Sequence, residues 1–118
     1  MVAATPLEEA RQQLTAHGLH PRLLPDNVKA YQLDAATGRF VVDLAEKVEF
    51  QVGAYPVRIQ PRLEGVMKEG KLLELKGLQA KKFLWLNISA IEANASKDKL
   101  VFTVGPAKVP VPWSAFDP

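Results

Sequence analysis

The stretch Lys81-Lys82-Phe83-Leu84-Trp85-Leu86-Asn87-Ile88-Ser89-Ala90-Ile91 constrains the fold more than any other part of the chain. It is the longest nearly unbroken apolar run, and its aromatic and β-branched residues favour a strand over a helix. Leu84, Leu86 and Ile88 fall on one face of such a strand, and Phe83, Trp85 and Ile91 on the other. A strand with large apolar side chains on both faces needs cover on both. It is therefore expected at the centre of a sheet or inside a barrel wall.

The rest of the chain supplies partners for that run. Thr5-Pro6-Leu7-Glu8 reads as a helix start, with Thr5 as cap, Pro6 in the first turn and Glu8 completing a capping box. Leu7, Ala10 and Leu14 share one face, and Gly18 predicts a left-handed stop, so a short helix over about 6–17 is expected as a lid or plug. Pro21 and Pro25 bracket Leu23 and Leu24 in an extended connector. A strand follows from Val28 to Leu33, and Asp34-Ala35-Ala36-Thr37-Gly38 is turn chemistry. Phe40, Val42, Leu44, Val48, Phe50 and Val52 alternate along the next stretch. Glu46 interrupts them, which predicts a bend or bulge between two strands.

Residues from Gly53 to Pro56 predict a turn, after which Val57, Ile59 and Leu63 continue on odd positions and Pro61 argues for an edge or a break. Leu72 to Leu75 predicts a short strand, and Asn94 to Lys99 a turn. Leu100 to Val104 then returns as hairpin partner of the central run, and the proline-punctuated tail predicts a docked edge strand or strap. The chain thus reads as one mainly β domain over 1–118, β-rich from about 28 to 113. About eight strands with one short N-terminal α-helix predict a small β-barrel or barrel-like sandwich.

Composition excludes several classes of chemistry. With 118 residues and no cysteine, the chain has no disulfide, no thiolate metal site and no thiol nucleophile. The N-terminus lacks the basic and apolar regions of a signal peptide, and no apolar segment approaches a membrane-spanning helix. With Met1 as the native start this predicts a soluble cytoplasmic protein; a trimmed secretory chain would read the same way. The net charge of +2 is unevenly placed. Residues 60–118 carry nine Lys and Arg against six Asp and Glu, with Lys68, Lys71, Lys76, Lys81 and Lys82 supplying the excess. Lysines on a solvated face or strand edge explain this, as would peripheral contact with an anionic membrane surface. Scarce Arg and the lack of a base-stacking aromatic motif argue against nucleic acid.

His17 and His20 lie across the helix end with no locally arranged carboxylates to complete a metal site. Ser89, Ser96 and Ser114 belong to no nucleophile motif, so a hydrolase would have to pair Ser89 or Ser114 with His17 or His20. Asn87-Ile88-Ser89 and Asn94-Ala95-Ser96 match the short glycosylation pattern, which carries no weight without a secretory signal. The apolar excess leaves two readings open. One is an ordinary filled core. The other is a barrel or groove whose wall of Leu84, Leu86, Ile88, Phe50 and Phe102 holds an apolar ligand, with Lys81 and Lys82 at its mouth.

Leu23-Leu24-Pro25, Gly38-Arg39-Phe40, Gly77-Leu78 and Lys81-Lys82-Phe83-Leu84-Trp85-Leu86 together resemble the plant domain of unknown function 538 family. Phe102-Thr103-Val104-Gly105 and Ser114-Ala115-Phe116 extend the resemblance over nearly the whole chain. Two positions depart from the family pattern: Ala90, where a glycine is frequent, and the strand region around Ala45, where many members carry a cysteine. The resemblance implies a compact barrel-like fold with an N-terminal helix, from a green-lineage organism, in a setting of stress or development. It implies either lipid binding or esterase-like hydrolysis and brings no agreed catalytic residues. The expectation is a monomeric, cofactor-free binding protein for a lipid or other apolar small molecule. A weak esterase and a protein–protein adaptor are the alternatives.

Overall fold

In the computed structural model, which describes residues 5–52, 55–94, 96 and 98–116, α1 spans Pro6–Ala16 and starts as the sequence predicts. The Thr5 hydroxyl accepts a hydrogen bond from the Glu8 amide at 3.1 Å, and Pro6 stands in the first turn, where its missing amide costs nothing. At the other end Gly18 has a φ of 77°. Its amide donates to the Thr15 carbonyl at 3.1 Å, and the Leu19 amide donates to the Leu14 carbonyl at 2.8 Å. This paired closure requires a left-handed residue between helix and connector and returns Leu19 to the level of Leu14; both leucines are buried. The connector then passes through a 3-10 turn, Pro21–Leu23.

Eight strands follow: β1 (Val28–Leu33), β2 (Arg39–Leu44), β3 (Val48–Val52), β4 (Tyr55–Lys68), β5 (Lys71–Lys81), β6 (Trp85–Ala93), β7 (Lys99–Val104) and β8 (Ala107–Pro112). They form one antiparallel sheet in the order β1-β2-β4-β5-β6-β7-β8, with β3 also paired to β4. The mainly β architecture with one helix matches the sequence reading, but the curled sheet does not close into a barrel. A 3-10 turn, Trp113–Phe116, ends the described chain. The predicted turn at Gly53 and Ala54 lies outside the described residues, as do Ala95 and Lys97 of the predicted 94–99 turn.

The spine of the sheet is the β4–β5 hairpin, not the run that begins at Lys81. Instead of a short strand at Leu72–Leu75, β5 is eleven residues long. Instead of stopping at Pro61, β4 runs through it for fourteen. The pairing breaks there rather than the strand. β2 pairs with β4 up to Asp43 opposite Arg62, and β3 resumes with Val48 opposite Ile59. On the other side the β4–β5 ladder skips from Ile59 to Glu64. A residue without an amide donor is tolerated where no ladder bond is asked of it. The bend predicted at Glu46 is the other half of the same irregularity. Opposite it, Gly77 has a φ of 98°, and a Cβ there would meet the Arg62 carbonyl oxygen at 2.3 Å, so only glycine permits the two backbones this approach.

The two-faced apolar run has an unexpected solution. Its first four residues include the β5–β6 turn, Lys82-Phe83-Leu84, and only from Trp85 does the strand begin. Ile88 and Ile91, of opposite parity, both point inward because the β6–β7 register shifts between Ile88 and Ala90. Trp85 is half-buried, with the Arg58 guanidinium 4.2 Å from its ring centre. A second covering layer is therefore not needed. The inner face forms one contiguous core from Ala10 and Leu14 through Val42, Ile59 and Ile88 to Leu100 and Val111.

Candidate functional site

The residues expected to line one apolar wall are brought together only in part. Ile88 and Phe102 are core side chains bordering an interior space of only about 20 Å³, room for one water at most. A second interior space, between Leu14, Tyr31 and Ile91, is equally small. Lys82 borders the first of these spaces; Leu84 and Lys81 lie at the β5–β6 turn, and Leu86 is half-buried beside it. Phe50 stands apart from all of these, on β3. Neither interior space has room for a lipid-sized molecule.

The one large concavity near Phe50 follows from the failure of the sheet to close. β3 pairs only with β4, so its outer edge is bare among the described residues. Opposite that edge runs the connector 22–27, pinned to the β2–β3 bend by the Ala45 amide on the Asn27 carbonyl (3.0 Å) and by Asn27 Nδ2 on the Glu46 carbonyl (3.0 Å). Phe116 closes one end, stacked on Phe102 with ring centres 6.0 Å apart. The resulting open groove has a volume of about 530 Å³ and is lined by Leu23, Leu24, Val48, Phe50, Val52 and Phe116, with Arg11 and Arg22 among its polar residues. Arg11 is already engaged: its Nη2 donates to the Leu24 carbonyl at 2.8 Å and to Asp26 at 2.9 Å. Arg22, by contrast, has no ion pair among the described residues. Arg11 Nε and Asn27 Oδ1 are buried without hydrogen-bond partners, leaving a donor and an acceptor unused in the groove wall.

The lysine excess does not form one patch. Lys68 and Lys71 flank the β4–β5 turn, while Lys81 and Lys82 follow the far end of β5. Eleven extended residues separate those ends by on the order of 35 Å. A family model described as "Protein of unknown function, DUF538" matches residues 10–117. The chain belongs to the DUF538 family. No curated protein and no solved structure matches it.

The two histidines of this DUF538 chain bond to backbone close by in sequence. His17 Nδ1 lies 2.7 Å from the Gln13 carbonyl at the helix end. His20 is buried; its Nδ1 accepts from the Arg22 amide at 3.0 Å, and its ring packs against Trp113 and Phe116. Ser89 and Ser114 are exposed, on β6 and in the last 3-10 turn. Among the described residues no group of three or more His, Asp or Glu is arranged to hold a metal ion. The side chains of Asn94 and Ser96 bond Asp98 and hold its carboxyl below the usual range, organising the β6–β7 turn. No described helix is long and apolar enough to cross a membrane.

The groove was not legible in advance. Phe50 was singled out, but Leu23, Leu24 and Phe116 read as packing residues, and the arginines carried no motif. The signal that could have found it is the Glu46 interruption. It detaches β3 from the line of β2 and leaves an edge strand with apolar side chains.

Proposed function

We propose that this DUF538 chain is a non-enzymatic binding protein for an amphipathic, lipid-like small molecule that lies in the seam groove. The observation that carries the reading is the groove itself. Its volume of about 530 Å³ falls within the range of small-molecule sites, and it sets an apolar wall beside the polar Arg11, Arg22, Asp26, Asn27 and Gln51. An acyl or aromatic body packs against Leu23, Val48, Phe50 and Phe116. A carboxylate or phosphate head turns to Arg22, since Asp26 already neutralises Arg11. The two interior spaces, each of about 20 Å³, are too small for such a ligand, which favours the open seam.

Titration with dodecanoate, followed calorimetrically, tests this. Saturable one-to-one binding is expected, weakened at least tenfold in Phe50→Lys, which puts a charge in the apolar lining. A second variant, Arg22→Glu, is expected to weaken the acid but not dodecanol, because only the acid uses the cation. Binding that ignores both substitutions refutes the groove. Absence of binding by the wild-type chain to either compound refutes the ligand class.

A further inference from the structure

The end of the molecule away from the helix carries a feature the groove does not use. Lys82-Phe83-Leu84 forms a three-residue turn closed by the Lys82 amide on the Leu84 carbonyl at 3.0 Å. Phe83 is 100% exposed and Leu84 73% exposed; these are the exposed large hydrophobic residues of the described chain. Phe83 also holds a φ of 92°. That conformation is unfavourable for any residue with a bulky side chain, and here no contact compensates it. Folding alone selects against an aromatic ring at such a position, so the ring has another use.

The surroundings identify the kind of surface that the ring meets. The β7–β8 turn lies alongside, with the Gly105 amide donating to the Asn87 carbonyl at 3.1 Å. Leu86, Val104, Pro106 and Ala107 extend the apolar surface beneath the turn as a shallow recess. The neighbouring charges are mainly cationic. The stretches 79–91 and 101–111 hold Lys81, Lys82 and Lys108 and not one Asp or Glu, while Arg58 on β4 lies opposite Glu49 of β3. A projecting apolar turn ringed by lysines matches a lipid bilayer with an anionic headgroup layer, where the rings and alkyl chains enter the acyl boundary and the ammonium groups remain among phosphates. It matches a protein partner poorly. Phe83 and Leu84 expose on the order of 300 Å², well short of the ~800 Å² per partner of a stable interface.

We infer that the β5–β6 turn, Lys81–Leu84, is a membrane-insertion tip that docks this chain on anionic lipid surfaces. The inference is independent of the groove reading: a soluble chain could carry a ligand without docking, and a docking chain needs no ligand. Co-sedimentation tests it, with vesicles of phosphatidylcholine alone and of phosphatidylcholine with about one-third phosphatidylserine. Wild-type protein is expected to bind the mixed vesicles and to bind the neutral ones far less. Phe83→Asp with Leu84→Asp is expected to reduce partitioning by about 100-fold or more, since each substitution removes an inserting side chain and adds a repelled charge. The double variant is expected to fold, because Phe83 is fully exposed and Leu84 is 73% exposed. Lys81→Gln with Lys82→Gln is expected to cost about tenfold or more and to flatten the dependence on phosphatidylserine. Failure of the wild-type chain to bind mixed vesicles overturns the inference, as does undiminished binding by the Phe83/Leu84 double variant. Concentration-dependent dimerisation abolished by that variant, without vesicle binding, would reassign the tip to self-association and equally overturn it.

Discussion

The two ends of the sheet are built on opposite principles. At the helix end three turns are knitted to one another, to the end of α1 and to the last 3-10 turn. The Met67 amide donates to the Gly38 carbonyl at 2.8 Å, Gly70 to His17 at 2.5 Å, Ala93 to Gly70 at 2.9 Å, and Trp113 to Asp98 at 2.8 Å. Charges of both signs are interspersed there, among them Lys68, Glu69, Lys71, Glu92 and Asp98. At the tip end the turn around Phe83 is closed by its own backbone, its large side chains are bare, and the charge is mainly positive. Polar closure with mixed charge seals a β structure against water. An apolar tip with cations leaves the sheet incomplete until something covers it. The same strands, β4 to β7, reach both ends, so the difference resides in the turns and not in the sheet.

The comparison can be broken by substitutions whose effects on stability run in opposite directions. The largest effect is expected at the covered end. Leu14→Ala removes a buried side chain wedged between α1 and the sheet and should cost about 2–5 kcal/mol in urea unfolding. A loss below about 1 kcal/mol would mean that the helix is not part of the core. At the bare end, Phe83→Gly should raise stability by up to about 1 kcal/mol, because glycine accepts the positive φ and no packing is lost. A clear loss of stability in that variant would show that the ring supports the fold and remove the reason to seek a partner for it.

The smallest effect concerns the helix–sheet contact and appears only in alkali. Burial, then the nearby Glu9 carboxylate, raise the Tyr31 phenol above its ordinary value. The unfolded chain therefore ionises from about pH 10 upwards while the folded one stays neutral. This contribution is intact below pH 10 and lost as pH rises through the folded value. Tyr31→Phe should flatten the alkaline limb of a stability-against-pH curve without altering it near pH 7 in slope. An unchanged alkaline limb would place Tyr31 in open solvent instead.

Local chemistry was readable because it depends on near neighbours. Thr5, Pro6 and Gly18 set the helix ends through bonds spanning three to five residues, and the Asp34–Gly38 turn closes with the Gly38 amide on the Asp34 carbonyl at 2.7 Å. Alternation along β2 and β3 gave their inward faces, and the Glu46 interruption marked the bend between them. Residue-type patterns carry that information directly, since side-chain direction follows from a period of two.

The tertiary structure decided what periodicity cannot. Ile88 and Ile91 share the core only because a bulge between Ile88 and Ala90 reverses parity, and its presence depends on how β7 pairs with β6. Pro61 continues a strand because two neighbouring ladders are interrupted beside it. Most of the candidate site belongs to this second class. An apolar run reads the same whether it lines a core or projects as a turn, and Phe83 and Leu84 became surface residues because β5 ends at Lys81. The groove likewise arises from the separation of β3 and the connector 22–27, segments joined by no sequence pattern. Sequence alone set the helix, the strand content and the cation-only composition around residues 79–91. Strand pairing set which apolar residues were buried and which were left for something else to cover.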